Sequence, residues 1–432
     1  MYCQLEVLRH CFPSSVRRIL EELPESLDET YERILREIRR PNQGHAHRLL
    51  QCLVAAIRPL EVKELAEVLA FDFNTEGIPM LNLGWRWEDQ EEAVMSACSS
   101  LVVIVKDGDS RVVQFSHFSV KEFLTADRLA EPIRDVSPYH IQLEAAHTIL
   151  VRACLGILLQ LDDHIDRGSI MSFPLAQYAA QYWATHAQIQ NVSSRIKDGM
   201  ECLFDTDKPH FATWVWIYDE DQWGRSMSTP HPEKPKAVPL YYAAMLGFRD
   251  LAKYLIAKHP QHVTVRGGEE VTSLHVATSA GHSDIMSLLI EHGADVNGRG
   301  LVGNSPLHRA SRSARLEAGQ LLLNHGADIN AQNDYNSTAL IYATDSNQAE
   351  FARMLLERGA MIDARGIYGR TALHWAAVDG QTEAVRFFLE RGADAHVRDE
   401  DGNTAYTLGL RKGHYETVEL LSDCDASSVK KK

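Results

Sequence analysis

Apolar and polar positions in the second half of the chain follow a pattern that returns every 33 or 34 residues. Each copy predicts a short apolar helix and then a second helix with a dense apolar face, as in residues 285–290. The landmark apolar position of the first helix falls at Leu240, Leu274, Leu307, Leu340, Leu373 and Tyr406. A strict period of this length indicates stacked copies of one helical unit. It favours an extended binding surface over a catalytic pocket.

Polar and turn-forming residues mark the helix ends within these copies. Ser305 stands where its side-chain oxygen can cap a helix, and Pro306 suits the first helical turn, where no N–H is missed. Gly281, Gly380 and Gly413 follow first helices, at positions that need a positive φ. The sequence therefore predicts a helix–turn–helix unit, with a connecting hairpin between successive units.

The segment Ser-Pro-Leu-His-Arg-Ala at 305–310 resembles the Thr-Pro-Leu-His-x-Ala pattern of the ankyrin repeat. The resemblance implies an α-solenoid of six repeats over 238–425, with atypical first and last copies. It also implies that His275, His308 and His374 take part in hydrogen bonds between repeats. A row of metal-binding histidines is the alternative interpretation.

The first half predicts a different domain. The expected elements are helices over 26–35, 45–57 and 62–71, strands over 100–105 and 112–115, and a helix over 119–129. Three helices followed by a β-hairpin are the plan of a winged helix, which often reads DNA. The third helix holds Glu61, Glu64 and Glu67 against Lys63, so we expect it not to enter a DNA groove. A DNA-binding regulator remains an alternative.

Several segments of this half resemble NACHT-containing NOD-like receptors of the fungal type, which are STAND-class P-loop ATPases. Residues 23–35 are similar to the segment after the NACHT domain, and 115–124 to the end of the winged helix. Residues 143–150 and 173–183 resemble the helical linker that follows. The resemblance implies a receptor of innate immunity or heterokaryon incompatibility, in which the repeats bind a ligand and regulate a NACHT switch.

The P-loop string Gly-x-x-x-x-Gly-Lys-Ser/Thr is not found in this sequence. We therefore expect the chain to be the portion that follows the NACHT domain, with no enzymatic activity and no cofactor. Nucleotide would bind only in a full-length parent. A STAND ATPase whose NTPase domain is missing from the chain is the enzyme-class alternative.

The fold prediction is mostly α. The expected order is a winged helix over 1–130, a helical linker domain over 131–225, a Pro-rich linker over 226–237, the repeats over 238–425 and a disordered tail over 426–432. Trp214 and Trp216 are expected to close the linker domain, with a carbohydrate platform as the alternative.

Charge and cysteine usage narrow the choice of partners. The net charge of −15 divides into −12 for residues 1–230 and −3 for 231–432, so a phosphate-backbone partner for the first half is disfavoured.

No apolar run approaches the roughly 20 residues that cross a bilayer. Seven scattered cysteines without a Cys-x-x-Cys motif argue for a reducing compartment and against structural zinc. We expect a cytoplasmic protein without nucleic-acid or membrane partners.

No catalytic or metal-binding set has a spacing that predicts chemistry. His117 stands next to Phe118 at the end of a predicted strand, and we interpret it as a core side chain. The receptor resemblance gives His117 a second role, contact with a nucleotide phosphate in a full-length parent.

The predicted partner surface consists of side chains that differ between copies of the repeat. Outward aromatic and arginine side chains are the types that supply binding energy at interfaces. The predicted hairpin-tip residues are Leu301, Tyr335, Ile367 and Tyr368, and the first-helix residues are Arg309, Arg312, Tyr342 and Trp375. For Tyr342 and Trp375 the alternative is that they cover neighbouring helices. We expect a protein ligand on this concave face.

Overall fold

The computed structural model describes residues 26–75, 77–131, 135–162, 164–223, 235, 237–267 and 271–429. They form two compact units, which divide between Pro235 and the residue after it. Apart from one three-stranded sheet and isolated bridges, the regular structure of these residues is helical, so the predicted mostly α fold is confirmed. The predicted segment 23–25 and most of the Pro-rich linker lie outside the described residues.

The first unit opens with the winged helix. Its elements are α1 (Leu27–Glu37), α2 (Gln43–Ala55), β1 (Leu60–Glu61), α3 (Val62–Glu67), α4 (Gln90–Cys98), β2 (Val102–Asp107), β3 (Ser110–Phe115) and α5 (Phe118–Thr125). The strands form an antiparallel sheet in the order β1-β3-β2. The hairpin turns at Gly108, whose φ is +59°.

Two of these elements were not predicted. Strand β1 has only two residues, too few to show an alternating pattern. Helix α4 is short, but Asp89 Oδ1 accepts the backbone amides of Glu91 and Glu92 at 3.0 Å and so caps its start. Its buried face uses small side chains such as Ala93 and Ala97, which give a weak hydrophobic signal.

Helix α1 shows how the local sequence sets the packing of the domain. Ser26 Oγ accepts the Glu29 amide at 3.2 Å, as its capping position predicts. The helix buries Tyr31, whose ring lies 5.4 Å from that of Phe123 on α5. The Tyr31 hydroxyl lies 2.8 Å from Ser119 Oγ, so α1 and the end of the winged helix are held together by apolar and polar contacts.

A helical segment completes the first unit. Its helices are α6 (Leu143–Leu158), α7 (Arg167–Ile170), α8 (Ala176–Ala187), α9 (Val192–Arg195), α10 (Lys197–Leu203) and α11 (His210–Trp223). Trp214 is 1% exposed and packs 5.7 Å from Trp183 and 5.3 Å from Phe204, measured between ring centroids. Trp216 is also buried, so the carbohydrate-platform alternative is wrong for both residues.

Tyr178 links the helical segment to the winged helix. Its hydroxyl accepts the backbone amide of Ile57 at 3.2 Å and lies 2.9 Å from Nε2 of His186. His186 Nδ1 lies in turn 2.8 Å from Nδ1 of His147 on α6. Burial lowers the pKa of His186 to about 3, so this internal ring is neutral.

The described residues of the second unit form six helix pairs, which we number as repeats 1 to 6. The pairs are α12–α13 (Pro239–Leu246, Arg249–Lys258), α14–α15 (Ser273–Ala280, Ser283–Glu291), α16–α17 (Pro306–Arg312, Leu316–Asn324), α18–α19 (Ala339–Asp345, Ala349–Glu357), α20–α21 (Ala372–Val378, Thr382–Glu390) and α22–α23 (Ala405–Lys412, Tyr415–Val429). The predicted glycines have positive φ, at +85° for Gly281, +66° for Gly380 and +81° for Gly413.

The last helix continues beyond the predicted end of the repeats. It extends to Val429, so the predicted disorder is wrong for residues 426–429. No glycine or proline interrupts the sequence between Tyr415 and Val429, and the helix has no local signal to stop. Residues 430–432 lie outside the described residues.

Candidate protein-binding surface

Three histidines bridge consecutive repeats. Nδ1 of His308 lies 2.8 Å from Ser305 Oγ, and its Nε2 lies 2.9 Å from the carbonyl oxygen of Ser337 in the next repeat. Because a carbonyl only accepts, Nε2 carries the proton and Nδ1 accepts. His275 and His374 make the same bridges, to the carbonyl oxygens of Asn304 at 3.1 Å and Asn403 at 3.3 Å. The three rings therefore have the inter-repeat role that the resemblance implied.

These rings are neutral because they are buried. Burial lowers the pKa of His275 to about 4, although the hydrogen bond to Asn304 acts in the opposite direction. Burial lowers the pKa of His308 and His374 as well. Within the ranges that the structure describes, no three His, Cys, Asp or Glu side chains are grouped as metal ligands.

Two kinds of hairpin tip alternate over repeats 3 to 6. In repeats 4 and 6 a side chain builds the turn: Asn333 Oδ1 accepts the amides of Tyr335 (2.9 Å) and Ser337 (3.0 Å), and Asp399 does the same in repeat 6. In repeats 3 and 5 a glycine occupies that position. There Val302 and Tyr368 instead adopt left-handed backbone, with φ of +57° and +59°.

The predicted partner residues divide into exposed and half-buried groups. Tyr335 is 49% exposed, Tyr368 54% and Leu301 39%, and all three lie at hairpin tips. Arg312 on α16 is also exposed. The half-buried members are Arg309, Tyr342, Ile367 and Trp375.

The half-buried aromatic residues belong to the framework as well as to the surface. The Tyr342 hydroxyl accepts a hydrogen bond from Asn333 Nδ2 at 3.0 Å, which ties it to the tip that presents Tyr335. The guanidinium of Arg370 lies 5.2 Å from the Trp375 ring and 5.4 Å from the Tyr368 ring. The structure therefore brings Tyr335 close to Tyr342 through Asn333, and Tyr368 close to Trp375 through Arg370.

Sequence reasoning missed the residues that organise these pairs. Asn333 and Asp399 each stand five positions before a threonine at the N-cap position of a helix, where repeats 3 and 5 have Gly300 and Gly366. This alternation was visible in the sequence and could have indicated two classes of tip. Arg370 gave no such signal, because the carboxylate of Asp399 that holds it becomes a neighbour only through the stacking of repeats 5 and 6.

The acidic residues of α3 do not form the outward face that we predicted. Glu64 and Glu67 are each 3% exposed. Arg58 donates to both carboxylate oxygens of Glu64, at 2.6 and 2.8 Å, and Glu67 pairs with Arg86. The prediction was wrong because it rested on the charges of the helix alone. Arg58 and Arg86 lie outside the helix and pair with its two glutamates.

The interpretation of His117 as a core side chain is also wrong. His117 is exposed and is the N-cap of α5, where its Nδ1 accepts the backbone amide of Ser119 at 3.2 Å. The neighbouring Phe118 is 72% exposed, so the two aromatic residues do not enclose the ring in the core. Histidine takes the capping role that Ser, Thr, Asp or Asn usually holds.

Comparison with known families decides what the second unit is. Residues 240–333, 298–366 and 361–432 each match the family model of ankyrin repeats. The second unit is an ankyrin repeat array. Ankyrin repeats generally mediate binding between proteins. Residues 31–133 match a second family model, the winged helix domain of GPI inositol-deacylase, so the winged-helix prediction is confirmed for the first unit.

Three relatives show how far this similarity extends. Azaphilone pigments biosynthesis cluster protein L of Monascus ruber is 32% identical over 294 residues, 64% of this chain and 61% of that protein. Alpha-latrocrustotoxin-Lt1a of Latrodectus tredecimguttatus is 38% identical over 71 residues, 16% of this chain and 5% of the toxin. BCL-6 corepressor-like protein 1 of Mus musculus is 41% identical over 56 residues, 13% of this chain and 3% of that protein. The chain thus spans less than two thirds of each relative.

A helix must be both long and apolar to cross a bilayer. None of the helices in the described part of the chain combines the length and the apolar character needed to span a bilayer.

Proposed function

We propose that this chain recognises a protein ligand on the concave face of its ankyrin array and carries out no catalysis. The observation that carries the proposal is the row of exposed Leu301, Tyr335 and Tyr368 on successive hairpins. The tips that present them are fixed by internal hydrogen bonds, such as those of Asn333. Exposed aromatic side chains, here on hairpin tips that are each held by internal bonds, are among the groups that supply most binding energy at protein interfaces.

We also propose a cytoplasmic NOD-like receptor as the setting of this recognition, with signalling in innate immunity or heterokaryon incompatibility. The winged helix of the GPI inositol-deacylase type supports this proposal, since it is a NACHT-associated type. The order of the domains, with the winged helix before the repeats, also supports it. In a full-length parent that carries a NACHT domain, the exposed His117 is the residue that we propose to contact nucleotide.

A DNA-binding regulator is the second candidate, because a winged helix is a common DNA reader. Glu64 and Glu67 are buried, so their charges do not face outward and do not themselves oppose DNA binding. The net charge of −12 for residues 1–230 still opposes contact with phosphates. A gel-shift titration at low salt tests this candidate; we expect no shift, and a shift would favour it over the receptor.

The docking proposal is tested by a matched pair of triple variants of the full chain. The first replaces Tyr335, Tyr368 and Arg312 by alanine. The control replaces three exposed residues of the second helices by alanine, namely Glu350, Glu383 and Arg386. A protein captured by the wild-type chain should bind the first variant at least about tenfold more weakly, since tenfold corresponds to only about 1.4 kcal/mol.

The control variant should keep wild-type affinity for the same protein. Circular dichroism and the unfolding midpoint should be unchanged in both variants, because none of the six side chains is buried. Equal binding by the wild type and the tyrosine–arginine variant would show that the partner uses another surface. Purified chain should also release no phosphate from ATP above the level of a boiled sample.

A further inference from the structure

The hairpins of repeats 3 and 4 are joined to each other. The amide of Asp334 donates to the carbonyl of Val302 at 3.1 Å, and Arg299 binds the Asp334 carboxylate at 2.6 Å. Asn333 Nδ2 donates to Asn304 Oδ1 at 2.8 Å. Together with the histidine bridge described above, these bonds make the two hairpins one connected edge.

The hairpins of repeats 5 and 6 are joined in the same way. The amide of Glu400 donates to the carbonyl of Tyr368 at 2.9 Å. Arg365 donates to the carbonyl of Arg398 at 2.6 Å. Arg370 forms an ion pair with Asp399 at 3.3 Å, at the position where repeats 3 and 4 have two asparagines.

Between repeats 4 and 5 the corresponding positions hold residues that cannot make these bonds. Ile341 occupies the histidine position, and Gly366 occupies the position of Asn333 without offering a side chain. Among the described residues, two hydrogen bonds join the hairpins across this boundary. Near the tips the Ile367 amide donates to Ser337 Oγ at 3.4 Å, and at the hairpin bases, next to the second helices, the Met361 amide donates to Asn330 Oδ1 at 2.8 Å. The hydroxyl of Thr338 is buried without a hydrogen-bond partner, because no histidine faces it.

The backbone explains why the carbonyl bond is also missing here. In repeats 3 and 5 the accepting residues, Val302 and Tyr368, are left-handed, with φ of +57° and +59°. In repeat 4 the left-handed residue is Asn336, one position later than the equivalent Tyr335, with φ of +56°. The alternation of tips therefore pairs the hairpins as 3 with 4 and 5 with 6.

The opposite side of the same boundary remains connected. Gln381 Nε2 donates to the carbonyl of Thr344 at 2.8 Å, which joins the helical layers of repeats 4 and 5. The guanidinium of Arg353 lies 4.5 Å from the centroid of the Phe387 ring, between their second helices. A relative movement of the two repeats would therefore keep the second-helix side closed and separate the hairpin tips.

We propose that the ankyrin array has a joint between repeats 4 and 5, at which the hairpin edge opens and closes. The exposed Tyr335 and Tyr368 lie on opposite sides of this joint, so its opening changes the distance between them. A partner that contacts both tyrosines would hold the joint in one state. Only this last consequence rests on the proposed function.

Hydrogen exchange of the full chain, without any partner, tests the joint. The Ile367 amide should exchange at least about tenfold faster than those of Asp334 and Glu400, after correction for intrinsic rates, because these two donate to carbonyl groups of neighbouring hairpins. Equal protection of the three amides would overturn the proposal. Leu355 is fully buried, so its amide reports the exchange rate through global unfolding. The exchange rates of the Ile367, Asp334 and Glu400 amides are compared with that rate.

The substitution Ile341→His is expected to close the joint. Gly366 lies against Ile341 as Gly300 lies against His275, so a histidine has the same glycine neighbour in both places. The new ring should bond Thr338 Oγ1 and the Arg370 carbonyl, and slow exchange at Ile367 by about tenfold. Ile341→Val is the matched control, since it shortens the side chain without adding a donor, and should not slow exchange.

Amide exchange in the histidine variants can also contradict the joint. A folded Ile341→His variant with unchanged exchange at Ile367 would overturn the proposal. If that variant fails to fold, His308→Ile should remove the histidine bridge between repeats 3 and 4, and speed exchange at Asp334 relative to Leu355. These rates involve no partner, so failure of the docking proposal would leave them unchanged. A partner that bridges Tyr335 and Tyr368 should slow exchange at Ile367.

Discussion

Arg370 and Asp399, from the hairpins of ankyrin repeats 5 and 6, form an ion pair whose carboxylate is completely buried. Burial alone would raise the pKa of Asp399, but hydrogen bonds from Asn403 and Arg370 hold it below its usual range. The Asp399 carboxylate thus forms the turn of the repeat 6 hairpin and also binds Arg370 of the repeat 5 hairpin. The pair fixes Tyr368 and Trp375 through the arginine between their rings.

Removing the cation should be more damaging than removing both charges. Arg370→Met leaves the Asp399 carboxylate buried without its cation, and we expect it to lower the free energy of unfolding by about 3 kcal/mol. Adding Asp399→Asn should recover part of this loss, because the amide still accepts the turn hydrogen bonds. Urea unfolding of wild type, both single variants and the double variant measures the coupling. Additive effects would show that the pair does not interact energetically.

Stability of the array should fall with decreasing pH. The folded-state pKa of His275 is about 4, below its value of about 6.5 when unfolded, so the unfolded chain binds a proton first. The contribution of this neutral ring is complete above about pH 6.5 and is lost as the pH falls toward 4. Each pH unit within this window costs at most about 1.4 kcal/mol for this one group.

The pH prediction is checked by comparing wild type with His275→Gln in urea unfolding at several pH values. The carboxylates contribute similarly to both proteins, so the difference between the two curves isolates the histidine. The difference should shrink as the pH falls through the window. Parallel curves from pH 7 to pH 4 would contradict the assigned direction of the pKa shift.

The architecture of the repeats could be predicted from the sequence, because each copy contains residues that mark the start or the end of its own helices. Ser305 and Pro306 set the start of a helix, and Gly281 sets the end of another, in each case through contacts within a few residues. Local rules of this kind act independently of the rest of the fold. The positions of Tyr335 and Tyr368 at exposed tips followed from the same period.

The remaining features depend on residues that are distant in sequence. Glu67 is removed from the surface of α3 by Arg86, and its Oε2 accepts the amide of Leu175 at 2.8 Å, 108 positions later. A count of charges along one helix cannot show such a partner. The burial of Trp214 beneath Trp183 and Phe204 is of the same kind, since the two tryptophans come from α8 and α11 and Phe204 follows α10.

The hydroxyl of Tyr178 should contribute measurably to the first unit. Tyr178→Phe would leave Nε2 of His186 without this partner in a buried site and remove the side-chain acceptor of the part-buried Ile57 amide, at a cost of about 1–3 kcal/mol. Thermal and urea unfolding of the full chain measure the change. Tyr182→Phe, on the same helix α8 and half-buried, is the control and should change stability by less than about 0.5 kcal/mol. Equal effects of the two variants would show that the buried network adds no stability.

The capping role of His117 predicts a specific order among its variants. His117→Ala should lower the free energy of unfolding by about 0.5–2 kcal/mol, because the amide of Ser119 then loses its side-chain acceptor. His117→Asn should retain most of the stability, since asparagine is a favoured N-cap residue. Urea unfolding of the three proteins measures the order. If the alanine variant equals wild type, the histidine does not stabilise α5. If the asparagine variant is instead as unstable as the alanine variant, the ring itself matters through a contact other than the cap, such as its 4.3 Å approach to Phe118.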